Sequence, residues 1–452
     1  MTVLNEEHPP LEPRERRREQ RSWYFYDWAN SAFATTVAGV LFAPYLVAVA
    51  GDAAIDNRVD VLGLALNPKA LPGFITFVST VLFAVALPVL GAIADRTAYK
   101  KHLMAGFAWS GAAAAAGLFF MTEDSWQLGM ALFIVANFCF GASTLFNDAI
   151  LPLISTPDER DGVSSRGWAL GYAGGGLLLA VNFVVVSAPG TFGLTEGMAV
   201  RISLLSAAIW WAAFTFIPFL GIRNRPPLDV VPAEGGIVRG SFAQLWDTLK
   251  ELREYPVALT FLIAYLFFND GIQTVIAQAS VYGTEELGFE LGTMLGIYLL
   301  VQFVAVGGAL LFGRLAARMG SKRVILIGLG IWSAIVTVAL VLPAGRLVPL
   351  IGLGVAIGIV LGGTQALARS YFSLLIPAGK EGEFFSLYHA MDRGTSWIGA
   401  LVFALVVQAT DSYRPAIFAL IFFFAVGGLL LARVDTEKGM RDAAAGGAAH
   451  PG

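Results

Sequence analysis

Charge is scarce in this sequence. Only 14% of its 452 residues are Asp, Glu, Lys or Arg, whereas a soluble chain carries about 25%. That excludes a solvated globular surface over most of the length. Cysteine is nearly absent: Cys139 stands alone in an apolar run, so no disulfide can form within the chain. Histidine is limited to four residues, and no H-E-x-x-H pair occurs. G-x-S-x-G and the G-x-x-x-x-G-K phosphate loop are missing as well. No hydrolase, metal centre or nucleotide-driven pump is indicated. The chain reads as a non-enzyme with no cofactor and no metal.

What is present is apolar. Hydrophobic residues make up 56% of the chain, and mean hydropathy is +0.68. Runs of 18 or more apolar residues read as membrane helices, and they recur from end to end. Twelve spans are expected, near 23–49, 71–94, 103–122, 127–152, 165–187, 199–221, 256–280, 292–313, 324–343, 348–371, 385–409 and 415–432. The start, "RERRREQRSWYFYDWAN", is basic then apolar like a signal peptide, but the run is too long and too polar to be one. It reads as a retained first helix.

Cations choose the orientation. With twelve spans both termini share a side; that side carries 23 Lys and Arg, and the other carries five: Arg58, Lys69, Arg201, Arg346 and Arg414. Positive charge is retained inside, which predicts cytoplasmic termini in a multi-pass protein of the plasma membrane. The expected organisation is a tail (1–22), six helices (23–221), a linker (222–255), six helices (256–432) and a tail (433–452). The linker holds Phe242, Leu245, Trp246, Leu249 and Leu252 at helical spacing. That suits either an amphipathic helix on the membrane face or a linker helix with one apolar side.

The two halves echo each other. "GAIADRTAYKK" after the second span matches "GRLAARMGSKR" after the eighth at an offset of 222. "PDERDG" matches "PAGKEG" at an offset of 220, and Asp27, Asn30 and Ser31 match Asp270, Gln273 and Thr274 at 243. Duplicated six-helix halves are the architecture of secondary transporters. The fold class expected is an all-α integral membrane protein of 12 transmembrane helices in two six-helix halves.

Gly91, Asp95, Arg96 and Lys100 resemble the loop motif of the major facilitator superfamily, with Ala98 and Tyr99 replacing its usual glycine and second basic residue. "YDWANSAFATTV", "LPLISTPDERDGVSSRGWALGY" and "GGTQALARSYFSLLIPAGKEGEFFSLY" resemble that superfamily's vacuole effluxer-like branch. The resemblance implies an alternating-access solute carrier, and a loop around Asp95 that stabilises the outward-facing state. Fungal relatives of the branch are associated with amino-acid efflux from vacuoles.

Six formal charges sit within the expected spans: Asp27, Asp148, Asp270, Arg369, Asp392 and Arg393. Central and unpaired, they would cost about 15–20 kcal/mol in all, more than the roughly 5–15 kcal/mol that holds a fold together. They must be shallow, paired or in water. With helix 1 starting near residue 23, Asp27 is shallow. Asp27, Asp148 and Arg166 from the first half, and Arg369, Asp392 and Arg393 from the second, gather in the cytoplasmic half. Opposite signs across a seam suit a gate; the alternative for Asp27 is an interfacial acid answering Arg21. His389, three residues before Asp392, is a further gate candidate.

Asp270 is placed deep by its distance from Pro256, and no cation on its helix lies near it. It is the candidate proton or substrate residue, with Gln273, Asn30, Asn137, Gln302 and Gln365 as polar companions. Structural hydrogen bonding is the alternative for each. Glycines in "GLGVAIGIVLGG" and at 167, 171 and 174–176 suit close helix packing.

The expected function is secondary transport of a small solute, proton-coupled, with an amino acid or similar metabolite favoured. Efflux of a drug-like or lipid-like amphiphile is the second reading. A non-transporting receptor or scaffold is the third. Expected partners are a small-molecule substrate, protons and the lipid bilayer, not nucleic acid, and the chain is expected to act as a monomer.

Overall fold

The computed structural model describes residues 12–225 and 253–448, apart from 56, 57, 62, 67, 69, 70, 290, 379, 395, 396 and 411. The expected amphipathic helix of the linker lies outside the described residues. The chain is helical almost throughout, as a backbone in hydrocarbon must satisfy its own polar groups. Among the described residues, ten helical stretches are long and apolar enough to cross a membrane.

The first half contains α1 (Pro13–Ala32), which continues through a π-helical stretch (Phe33–Leu41) into α2 (Phe42–Asp52). Then follow α3 (Leu71–Arg96), α4 (Lys100–Gly117), α5 (Trp126–Asp148), the short α6 (Leu151–Ile154), α7 (Arg160–Ser187) and α8 (Glu196–Gly221). The second half contains α9 (Pro256–Val281), α10 (Leu291–Met319), α11 (Ser321–Val341) and α12 (Leu347–Ser373). The expected eleventh span falls on α13 (Glu381–Gly394) and α14 (Trp397–Thr410), and the twelfth on α15 (Tyr413–Ala419) and α16 (Ile421–Arg433). A last helix, α17 (Thr436–Ala448), follows.

Two local departures have physical reasons. The wide π turns end just before Pro44, whose ring would clash with the carbonyl of residue 40 in a regular helix. The segment between α2 and α3 holds a small hairpin, Val59–Val61 against Leu64–Leu66, with Gly63 at φ 85 in its turn.

Helix 1 begins at Pro13, ten residues before its expected start. The basic stretch read as a tail is helical because partners far along the chain hold it. Arg16 pairs with Glu159 at 2.9 Å, and Gln20 Nε2 donates to the carbonyl of Ile154 at 2.9 Å. Asp27 is therefore the fifteenth residue of its helix, and Asp270, counted from Pro256, is the fifteenth of α9. Counted along the chain, the two acids follow their helix-opening prolines by the same distance.

Buried apolar residues form two clusters, one from Trp23 to Ile222 and one from Tyr255 to Val434. The clusters meet along a seam in which α7 packs on α10 and α12, and α3 and α5 pack on α13. Gly91 and Gly382 bring backbones together there: a Cβ on Gly91 would lie 2.9 Å from the Gly382 carbonyl oxygen.

Candidate functional site

Arg369 of α12 crosses this seam and is 3% exposed. Its Nη2 donates to Asp27 Oδ2 at 3.1 Å, and its Nη1 donates to Asp148 Oδ1 at 3.2 Å. Both carboxylates belong to the first half and are also buried. The remaining donors are used as well. Nε donates to Ser164 Oγ at 2.9 Å, and Nη2 also reaches the Ser164 carbonyl at 3.1 Å. The guanidinium faces are covered by Trp23 at 4.8 Å and Trp168 at 5.4 Å. Acceptors ring its edge while indoles lie over its faces, the arrangement that a planar delocalised cation favours.

The local sequence makes room for this. Gly167 lies so close that a Cβ would stand 2.4 Å from Asp27 Oδ2, and at Gly171 one would meet Ser31 Oγ at 2.8 Å. Trp23 is anchored by its Nε1, which donates to the Asn147 carbonyl at 2.9 Å. His389 of α13 completes the group, with Nε2 3.1 Å from Asp148 Oδ2. The isolated insertion costs computed from the sequence do not apply to charges so paired. Removing one partner of such a buried group costs about 3–5 kcal/mol, because the other is stranded.

Other bonds close the same end of the seam. Asp161 of α7 accepts from Ser370 and Ser321, each at 2.5 Å, and Arg160 donates to the Ser373 carbonyl. Asp95 Oδ1 accepts from the Gly382 amide at 2.6 Å. That amide lies in the first turn of α13, where N–H groups lack helical partners and a carboxylate is favoured. Asp95 is therefore bonded to the start of the expected eleventh span. Gly91 packs beside it. Arg96 ends α3, and Lys100 opens α4.

Not every expected gate residue joins the cluster. Arg166 is exposed, because the turn of α7 that aims Ser164 and Gly167 at Arg369 aims position 166 elsewhere. Asp392 accepts from Asn269 Nδ2 at 2.7 Å and from Tyr265 Oη at 3.1 Å, both on α9 within its own half. The side chain of Arg393 lies outside the described residues.

The deeper polar candidates divide as well. Asp270 is 1% exposed and its Oδ2 accepts from the Gly399 amide at 2.7 Å. Its Oδ1 and the nearby Thr274 Oγ1 are buried with no hydrogen-bond partner among the described residues. Gln365 Nε2 donates to Asn269 Oδ1 at 2.8 Å, which extends the Asp392 group. Gln302 and Asn30 are buried, Gln302 against Gly176 of α7. Gln273 and Asn137 are half-buried, and no bond joins them to Asp270. Sequence reasoning missed Trp23, Trp168, Ser164 and Asn269. For the first three the signal available was their place within or beside the motif stretches that carry the family resemblance, and Asn269 directly precedes the Asp270 repeat signal.

Comparison with known proteins agrees with this architecture. The family model described as "Vacuole effluxer Atg22 like" matches residues 15–444. The chain is 30% identical over 422 residues to the uncharacterized MFS-type transporter YxiO of Bacillus subtilis, covering 93% of this chain and 95% of that one. It is 26% identical over 475 residues to autophagy-related protein 22 of Yarrowia lipolytica, covering 84% and 78%. The human organic anion transporter MFSD10 shares the fold with a TM-score of 0.69 at 16% identity, covering 94% of this chain and 100% of that one. A bacterial homologue of ferroportin in the outward-facing state gives a TM-score of 0.64 at 13% identity, covering 93% and 98%. With its helical halves, its buried seam and these relatives, the chain is a multi-pass membrane transporter of the major facilitator superfamily and belongs to the vacuole effluxer Atg22-like family.

Proposed function

We propose that the protein carries a small solute across the membrane by alternating access, with the bodies at 23–221 and 256–432 rocking about the seam. With the basic loops facing the cytoplasm, the Arg369 cluster is the inner gate, drawn shut. The observation that carries this reading is Arg369 itself: a second-half cation buried between Asp27 and Asp148 of the first half. A gate must be strong when shut and hydrated when open, and a buried charged group has that contrast.

An amino acid or a similar small metabolite is the favoured substrate, supported by the resemblance to a branch whose fungal relatives are associated with amino-acid efflux from vacuoles. A proton is the favoured coupling ion, supported by the buried Asp270 with one oxygen unpartnered among the described residues. Uptake into proteoliposomes, screened over amino acids with and without an imposed pH gradient, tests both. Gradient-driven amino-acid accumulation supports the reading. Flux of amphiphilic dyes alone would replace the substrate, and flux indifferent to the gradient would remove the proton.

A further inference from the structure

A shallow open cleft lies at the basic-loop end of the first half. Lys100, Lys101, Arg223 and Arg225 line it, together with Ile150 and Leu153. Four cations meet there, and two carboxylates answer them: Arg223 pairs with Glu15 at 2.8 Å, and Arg225 with Glu19 at 2.5 Å. Four minus two leaves two positive charges. Lys101 Nζ donates to the Ile222 carbonyl at 2.6 Å, which occupies the ammonium without cancelling its charge. Lys100 is only 9% exposed and has no hydrogen bond or ion pair among the described residues.

The position makes that excess unfavourable. Lys100 and Lys101 are the first two residues of α4, with no acidic residue in the first turn and no side-chain cap from Tyr99. The bonds to the Tyr99 carbonyl begin with His102 and Leu103, which leaves the amides of Lys100 and Lys101 ahead of the ladder. A helix N-terminus is partly positive and disfavours cations. The second half shows what packing alone requires here. Lys322, counterpart of Lys100 at the offset of 222, donates to the carbonyls of Ala432 at 2.9 Å and Val434 at 2.7 Å, at the end of α16. In the first half Lys101 makes that fastening, just past α8. Lys100 is thus a second lysine that the packing does not use.

We propose that the cleft binds a phosphate-class anion, held by Lys100, Lys101 and the free amides that open α4, and by Arg223 and Arg225 beyond α8. Tetrahedral oxygens suit both a helix N-terminus and guanidinium forks. The phosphodiester of a lipid headgroup and free inorganic phosphate share this chemistry. Either would tie the start of α4 to the segment that leaves α8 for the linker.

The full chain, in nanodiscs of phosphatidylcholine with or without phosphatidylglycerol, is examined by native mass spectrometry for retained lipid. In detergent, its thermal unfolding is followed in potassium phosphate and in potassium chloride at matched ionic strength. Retained phosphatidylglycerol with no phosphate effect assigns the lipid headgroup, and a phosphate-specific rise in Tm assigns the free anion. In either case Lys100→Gln lowers the apparent affinity about tenfold, the scale of one lost hydrogen bond to a charged group, and Lys100→Arg restores most of it. Asn224→Glu, at an exposed position in the cleft, weakens the response in the same way and serves if Lys100→Gln fails to fold. No response in the wild type, or a response that neither Lys100→Gln nor Asn224→Glu alters, overturns the proposal.

Discussion

His389 Nε2 stands 3.1 Å from Asp148 Oδ2, while Arg369 Nη1 holds the other oxygen of the same carboxylate at 3.2 Å. Both neighbours come from the second half, and the hydrogen bond from Arg369 ties Asp148 across the seam. With Asp27 included, the group counts two carboxylates against one guanidinium.

Loss of Arg369 should loosen the seam. Arg369→Ala strands two buried carboxylates in the shut state but costs little where water reaches them. The equilibrium should move toward the inward-open state about 5- to 150-fold, the span of usual coupling energies. A cysteine placed in the cytoplasmic vestibule of a Cys139→Ala background should label correspondingly faster. Asp27→Asn should act in the same direction, and the double mutant should add little. Labelling rates unchanged from the parent, or effects that simply sum, would show that the cluster does not lock the halves.

Asp270 is predicted to carry the coupling proton. Asp270→Asn keeps the shape of the side chain but fixes its charge at zero. Solute flux in proteoliposomes should lose its response to an imposed pH gradient, while insertion and folding are retained. A mutant with the parent's pH response would remove Asp270 from the mechanism.

The end of the second half away from the Arg369 cluster offers a pH test outside the membrane spans. Burial opposes the charge of Glu286, but the Tyr413 amide at 3.0 Å, the Arg414 guanidinium at 2.8 Å and the Ser412 hydroxyl at 3.2 Å outweigh it, and the carboxyl is held below its usual range. A lowered folded value means that the contact contributes fully above the unfolded value of about 4.3 and fades as pH falls through the lower folded one. The Tm gap between wild type and Glu286→Gln should be constant from neutrality to about pH 5 and should shrink below about pH 4. A gap that widens on acidification would contradict the pairing.

Glycine at 362 is predicted to be irreplaceable where glycine at 106 is not. A Cβ on Gly362 would lie 2.3 Å from the Ala305 carbonyl oxygen, a backbone atom, whereas one on Gly106 meets nothing within 4 Å. Gly362→Ala should destabilise by about 1–3 kcal/mol. Gly106→Ala should be neutral or stabilise by up to about 1 kcal/mol. Thermal unfolding in detergent ranks the two, and an equal Tm for both would mean that α10 and α12 pack less closely than described.

The fold was largely legible because lipid leaves few choices: length, hydropathy and the sidedness of charge are enough to draw the spans. The repeat signals were legible too, and the matched spacing of Asp27 and Asp270 was a sounder guide than hydropathy to where helix 1 begins. Hydropathy failed at Pro13–Ser22 because the stretch is polar, and what makes it helical is Glu159 and Ile154, far away in sequence. For the buried cluster, charge type picked out Asp27, Asp148 and Arg369. Helical phase could not be read closely enough to set Arg166 aside. The indoles of Trp23 and Trp168 were invisible as gate parts, since an aromatic residue in an apolar run carries no sign of the cation it will cover.

The Arg369 lock also bears on descent. A chain made of two copies inherits each cross-seam contact twice, once in each direction. The mirror image of the pair between Asp27 and Arg369 joins Asp270 to the residue that corresponds to 369. At the offset of 220 that residue is Ala149. One half holds acid and base together, while in the other the corresponding position is an alanine and the acid has no counter-charge among the described residues. The asymmetry leaves equivalent positions chemically unlike: on the proposed reading, the ion pair is fixed while the solitary acid is the one free to exchange a proton.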